Sequence, residues 1–214
     1  MPSSKKKKRK LRPIISVGIF FAVAIIIAAV CYGFFKEETI PIAYESLVEK
    51  YAAEYSLDES LIFAVIKTES SFNPDAVSSA PAHGLMQITP DTFKWLKTKT
   101  GEKHDPEELF NPEISIKYGA FFLNMLIEEF EITETALAAY NAGRGQVNIW
   151  LKNPEYSDDG KTLKYIPFPE TRYYVQKVTA AVELYEKAYK LSEKTSQKIN
   201  TTQEEETSWT SKNQ

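Results

Sequence analysis

One carboxylate in this chain sits where a carboxylate would behave unusually. The stretch from Asp58 to Ser70 carries Ile62, Val65 and Ile66 at helical spacing, and at about 100° per residue Glu69 projects into the middle of the side they form. Ser60, Phe63 and Lys67 fall elsewhere on the same wheel. A carboxylate on an apolar stripe is either neutralised by a partner or holds its proton more tightly than in water. The second outcome makes a general acid. The alternative is that the helix ends at Glu69 and the side chain frays into solvent, where charged residues usually sit. The next residues, SSFNPDAVSSAPAHGLMQ, are rich in Ser, Pro and Ala and poor in periodic apolar positions, so they read as an irregular loop folded back over the helix end.

Other chemistries find little support. His83 and His104 are the only histidines, and their spacing matches no metal motif, so neither a metal nor a cofactor is expected. Ser70, His83 and Asp91 lack the nucleophile-elbow sequence that a hydrolytic triad requires. Gly143-x-Gly145 is a turn and not a phosphate-binding loop. Glycosidases of the ordinary retaining or inverting type need two carboxyl groups. Only Glu69 is well placed; Asp75 and Asp91 belong to a loop and a helix start.

The elements around Glu69 carry helical punctuation throughout. Tyr44, Leu47, Val48, Tyr51 and Ala52 follow helical spacing, and Ser56 to Asp58 supplies capping residues before the next helix. Thr89-Pro90-Asp91 has the order of an N-cap, a first-position proline and an acid at the positive end of the dipole; Gly101 stops the helix that follows. Asn111-Pro112-Glu113 repeats the signal, and Ile114, Tyr118, Phe121, Phe122, Met125 and Leu126 form a broad stripe expected to mark the central buried helix. Small residues at Ala136 to Ala142 allow close helix approach, and the glycines after Asn141 permit a sharp turn. No alternating strand pattern of useful length appears. An all-α fold is expected.

Four groups of residues, taken in order, resemble the lytic transglycosylases of bacterial cell walls, whose catalytic domain is similar to goose-type lysozyme. They are Glu69-Ser70; Asn73-Pro74-Asp75-Ala76-Val77-Ser78 with Ala82-His83-Gly84-Leu85-Met86-Gln87; Ala139-Tyr140-Asn141-Ala142-Gly143; and Pro167-Phe168-Pro169-Glu170-Thr171-Arg172-Tyr173-Tyr174-Val175. The likeness spans about Tyr44 to Tyr189. Pro81 departs from it, standing where the family usually has a glycine, and a proline cannot supply a positive φ. The resemblance implies a lysozyme-like all-α domain that cuts peptidoglycan between N-acetylmuramic acid and N-acetylglucosamine without consuming water, Glu69 acting first as acid and then as base. It implies that Tyr140 and Asn141 are site residues, with Tyr140 reaching toward the carboxyl group, and that Glu170 lines the site.

Read without the family, Tyr140 is a core aromatic with its hydroxyl satisfied, and Glu170 is an acid favoured in a first helical turn. Ser78 and Gln87 bond either the Glu69 carboxyl and the N-acetyl groups or their own loop backbone. Met86 packs on a sugar face or fills core space. Two nearby alternatives stay open: a lysozyme-like muramidase that hydrolyses the same bond, and a silent glycan-binding scaffold, which Pro81 favours.

The termini divide the chain further. Residues 1–13 hold seven basic residues and precede an uncharged run, Ile14 to Phe35, whose 22 residues can span a bilayer with some tilt. An uncleaved anchor is favoured over a cleaved signal peptide, because the apolar core is long and small-x-small cleavage signals between Ala28 and Gly33 are poor. Cys31 sits in a weak context for lipid attachment. The basic cluster then stays cytoplasmic and the remainder lies outside the membrane. A linker at 36–43, a catalytic domain at 44–191 and a disordered polar tail at 192–214 complete the expected organisation. From Lys36 onward the chain has 19 basic and 29 acidic residues, a net of −10, so no nucleic-acid partner is expected. Its expected partners are peptidoglycan strands, and the membrane through the N-terminal helix. With Cys31 the only cysteine, the exterior domain relies on its packed core alone.

Overall fold

The computed structural model describes residues 41–212, with side chains described as far as Lys190. The basic N-terminus and the expected anchor lie outside the described residues. Among the described residues seven α-helices follow one another: α1 (Glu45–Tyr55), α2 (Glu59–Ser70), α3 (Pro90–Thr100), α4 (Pro112–Phe130), α5 (Thr133–Ala142), α6 (Arg144–Leu151) and α7 (Pro169–Lys212), with a short 3-10 helix at Pro106–Phe110. Two isolated bridges, Val77 with His83 and His83 with Ile88, are the only β pairing among the described residues. The all-helical expectation holds. None of the described helices is long and apolar enough to cross a membrane.

The helix starts use the capping chemistry read from the sequence at two of three places. The Thr89 side chain accepts the Thr92 N–H at 3.2 Å, with Pro90 in the first turn, and Gly101 ends α3 at φ 74°. Asn111 accepts the Glu113 N–H at 2.9 Å and starts α4. Asp58 occupies the N-cap of α2, but its side chain makes no capping bond.

The core gathers around α2. This helix is buried on every side from Ser60 to Ile66, which the one-sided stripe does not anticipate. The reason is tertiary: α7 packs along it and α1 against it, and the Phe63 ring stacks on Tyr185 of α7 at 5.3 Å. Each large apolar side chain enclosed in this way contributes about 1.5–3 kcal/mol. The second buried helix, α4, packs on α1 and α5. Of its expected stripe, Tyr118, Phe122 and Leu126 are buried, while Ile114, Phe121 and Met125 are half-buried. The backbone of α7 stays helical to Lys212, through the stretch whose composition suggests no fixed structure. Extending an existing helix by polar residues avoids the cost of nucleating a new one.

The segment between α2 and α3 folds back over the end of α2. Ser71 and Phe72 take positive φ values of 52° and 65° and reverse the chain. His83 and Ile88 then exchange backbone hydrogen bonds of 3.0 and 3.3 Å. Gly84, at φ 76°, is pressed so closely on the Leu109 carbonyl that a Cβ would lie 1.9 Å from its oxygen. Only glycine fits there.

Candidate active site

Glu69 occupies the last turn of α2, followed by the chain reversal. Its carboxyl is withdrawn from water by its surroundings, and that desolvation pushes its pKa up to about 7. Two groups pull the other way, Tyr174 by hydrogen bonding and Lys177 by its charge, and neither is large enough to prevail. Both come from α7, the helix packed along α2. The Tyr174 hydroxyl is buried beside the carboxyl and interacts with it, at a geometry short of an ideal hydrogen bond. Its own ionisation is suppressed by burial and by the neighbouring Glu69.

The Ser70 hydroxyl fixes the end of α2 against the loop. It donates to the Leu85 carbonyl at 2.9 Å and lies 3.2 Å from the Ile66 carbonyl. Gln87, at φ 48°, donates through its amide to the carbonyls of Ala76 (3.0 Å) and Gly84 (2.9 Å), clamping the loop closed from within. Of the two roles open to Gln87, this is the local one. Ser78 is exposed, and its hydroxyl donates to the Ala80 carbonyl two residues on. Pro81 lies exposed in the same bend.

Met86 is fully buried, its side chain lying where a Cβ on Gly119 of α4 would collide at 2.3 Å. Its thioether therefore fills core space, and its carbonyl accepts the Tyr140 hydroxyl at 2.8 Å. Tyr140 thus spends its one proton on the loop backbone. Its ionisation is suppressed by burial and further by Glu69, which places the ring within the field of the carboxylate. Asn141 is exposed and its carbonyl oxygen accepts the Thr171 hydroxyl at 2.7 Å, tying the end of α5 to the first turn of α7. Glu170 is exposed in that same turn.

Glu69, Tyr140 and Tyr174 are therefore electrostatically coupled; Met86 joins through its backbone, while Ser78 and Gln87 are bonded within their loop. Tyr174 and Ser70 both stand within the motifs, but the sequence reading gave neither of them a role in the site. Each carried a signal. Ser70 follows Glu69 directly, and Tyr174 lies one turn beyond Glu170 and Thr171, on the buried side of a helix that has to cover α2.

A cavity of about 530 Å³ opens nearby between the start of α3 and the α5–α6 turn, lined by Asp91, Thr92, Trp95, Phe122, Arg144 and Asn148 among others. Phe122 connects it to the carboxyl's surroundings, its ring lying 5.1 Å from that of Tyr140.

Residues 46–163 match the transglycosylase SLT domain family. The chain is 36% identical over 148 residues to a soluble lytic murein transglycosylase of Salmonella typhimurium, a match covering 67% of this chain and 23% of the relative. It is 38% identical over 128 residues to a membrane-bound lytic murein transglycosylase C of Mannheimia succiniciproducens, covering 53% of this chain and 35% of that one. Among solved structures, an inactive glutamate-to-glutamine variant of a lytic transglycosylase from Pseudomonas aeruginosa superposes with a TM-score of 0.62 at 35% identity, covering 71% of this chain and 25% of the other. The 70 kDa soluble lytic transglycosylase of Escherichia coli gives 0.63 at 31% identity, covering 72% and 25%. The chain thus spans well under half the length of these relatives. By the family match over more than half its length, and by a fold that agrees with it, this chain belongs to the transglycosylase SLT domain family.

Proposed function

We propose that this protein is a peptidoglycan lytic transglycosylase held at the membrane by Ile14 to Phe35, with its catalytic domain on the outer side. The observation that carries the proposal is the state of Glu69: a lone carboxyl, desolvated at a helix end, with a pKa of about 7. Near neutrality such a group is populated in both forms, so it can give a proton in one step and take one in the next. The groups acting on it are a tyrosine and a lysine, not a second carboxylate. That argues against a two-carboxylate hydrolysis.

In the first step the Glu69 proton passes to the oxygen bridging N-acetylmuramic acid and N-acetylglucosamine, and the bond from that oxygen to the anomeric carbon breaks. The 2-acetamido group steadies the positive charge left behind. Glu69, now a carboxylate, removes the proton from the muramic acid 6-hydroxyl as its oxygen bonds to the anomeric carbon. The products are a free N-acetylglucosamine 4-hydroxyl and a 1,6-anhydro ring; the acid is regenerated and water is not consumed. Tyr174 stabilises the carboxylate between the two steps, and Tyr140 holds the loop through Met86. The cavity beside Phe122 offers aromatic and polar walls of the kind that bind sugars.

Digestion of purified peptidoglycan by the full-length protein, followed by mass spectrometry of the muropeptides, tests this reading. Anhydro ends are expected. Reducing ends in their place would identify a hydrolase, and no new ends of either kind a binding protein. The anchor is supported by the length of the apolar run and by the membrane-bound name of one set of relatives. Release of the protein from membranes by alkaline carbonate alone would overturn it.

A further inference from the structure

The buried face of α7 carries Thr171, Tyr174, Val175, Val178, Ala181 and Tyr185. At about 100° per residue, Glu170, Tyr173 and Lys177 share the flank next to Tyr174, whereas Arg172 falls on the far side, its guanidinium 5.0 Å over the Tyr165 ring. Tyr173 is 64% exposed, a large ring left in water. The Lys177 ammonium lies 5.5 Å from the centroid of that ring and makes no ion pair with any described residue. Lys50 and Lys161 on this acidic surface are ion-paired, with Glu113 and Glu131 at 2.7 Å each, whereas Lys99 lies over the Trp95 ring at 5.6 Å as Lys177 does over Tyr173, but away from Glu69's neighbours on α7. Lys177 is instead held by an aromatic face one turn from Tyr174, close enough for its charge to be felt at Glu69.

A cation in that place works against the proton retention that desolvation gives Glu69. It therefore needs a use of its own, and the glycan supplies one. Muramic acid differs from its neighbouring sugar by a lactyl ether that carries the peptide stem, and that arm bears carboxylates. We propose that Tyr173 and Lys177 form a subsite for the carboxylate-bearing peptide arm of the muramic acid, the ring packing on the arm and the ammonium pairing with its carboxylate. The proposal rests on the transglycosylase reading above and adds a consequence to it. When the arm neutralises Lys177, the downward pull on Glu69 is relieved in the complex, and the acid is protonated when the bond has to break. The groups coupled to Glu69 in this balance are Tyr174 and Lys177 from α7 and Tyr140 from α5; Glu170 shares the flank of Lys177.

The full-length protein in detergent is assayed on intact sacculi and on the same sacculi stripped of stems by an amidase. Lys177→Gln is expected to lower the preference for stem-bearing over stripped glycan by roughly fivefold, mostly through KM, as fits one partly exposed ion pair. Lys177→Arg should restore most of the preference, Tyr173→Ala should lose part of it, and added salt should erode it. An equal loss on both substrates with a displaced pH profile would confine Lys177 to tuning Glu69 and overturn the subsite. No change on either substrate overturns it as well. Co-sedimentation of Glu69→Gln protein, with and without Lys177→Gln, on the two sacculi separates this outcome from failure of the catalytic reading. Stem-dependent binding without any anhydro product would leave the subsite standing and remove the transglycosylase.

Discussion

Two glutamates of this domain each have a tyrosine hydroxyl for a neighbour and end in opposite states. Glu102, in the segment after α3, accepts the Tyr118 hydroxyl at 2.9 Å and pairs with Lys117, while His104 stands 3.3 Å away. Its carboxyl is held below its ordinary range, first by Lys117 and then by Tyr118. Glu69 has Tyr174 beside it and a lysine only at a distance, and its carboxyl is pushed up to about 7. The tyrosine does not decide between them. What decides is whether a cation is in contact or the water has been removed, the two levers that set any carboxylate's charge. The first makes a staple and the second makes an acid.

The largest effect should come from Glu69→Gln, which keeps the shape and removes the proton. Release of anhydro ends is expected to fall by about 10³-fold or more, the upper range for an acid–base group, with circular dichroism close to that of the parent and stability no lower. Residual activity within tenfold of the parent would break the comparison at its root. Next comes a signature in stability. The folded domain holds the Glu69 proton up to about pH 7, whereas the unfolded chain releases it near 4.5. Between those values the folded state binds more protons, so this group's contribution to stability falls as pH rises from 4.5 and levels off above 7. The loss should approach about 3 kcal/mol. Urea titrations between pH 4 and 8 check it: Glu69→Gln should be flatter than the parent over that window, and parallel curves would contradict a desolvated Glu69.

How much of this was legible in the chain depends on which contacts were local. The starts of α3 and α4 follow from Thr89-Pro90 and Asn111-Pro112 because capping is settled within four residues. Glu69 was found because a helical wheel places it among apolar residues. The full enclosure of α2 was not legible, since the wheel shows one stripe and α1 and α7 cover the rest from distant parts of the sequence. For the same reason Gln87 and Met86 were visible as motif residues, but nothing local said that Gln87 would bond its own loop or that Met86 would sink into the space left by Gly119. Tyr174 illustrates the limit most clearly. It stands 105 positions from Glu69, and only the packing of α7 on α2 joins them.

Exchanging each tyrosine for phenylalanine sharpens the contrast on a smaller scale. Tyr174→Phe removes a group that lowers the Glu69 pKa, so the alkaline limb of kcat should move upward and the rate near neutrality should fall roughly tenfold, by analogy with the loss of a charge-assisted hydrogen bond. Tyr118→Phe alters a carboxylate already paired with Lys117, so the activity profile should stay where it is. A shift of equal size in both variants would mean that the tyrosine, and not the cation, governs these sites.

The smallest effect is expected at the staple itself. Lys117→Met leaves Glu102 with Tyr118 and His104 and removes a partly exposed ion pair, an interaction worth up to about 1 kcal/mol. Because the pair holds the folded pKa of Glu102 down, its stabilisation is present above pH 4.5 and is lost as acid protonates the folded carboxylate. Parent and variant should therefore differ slightly in urea midpoint at pH 7 and converge toward pH 3. This is the reverse of the trend expected at Glu69, whose protonated form is the one the fold prefers. If the two pH dependences ran in the same direction, contact with a cation and loss of water would not be the opposing influences that separate these carboxylates.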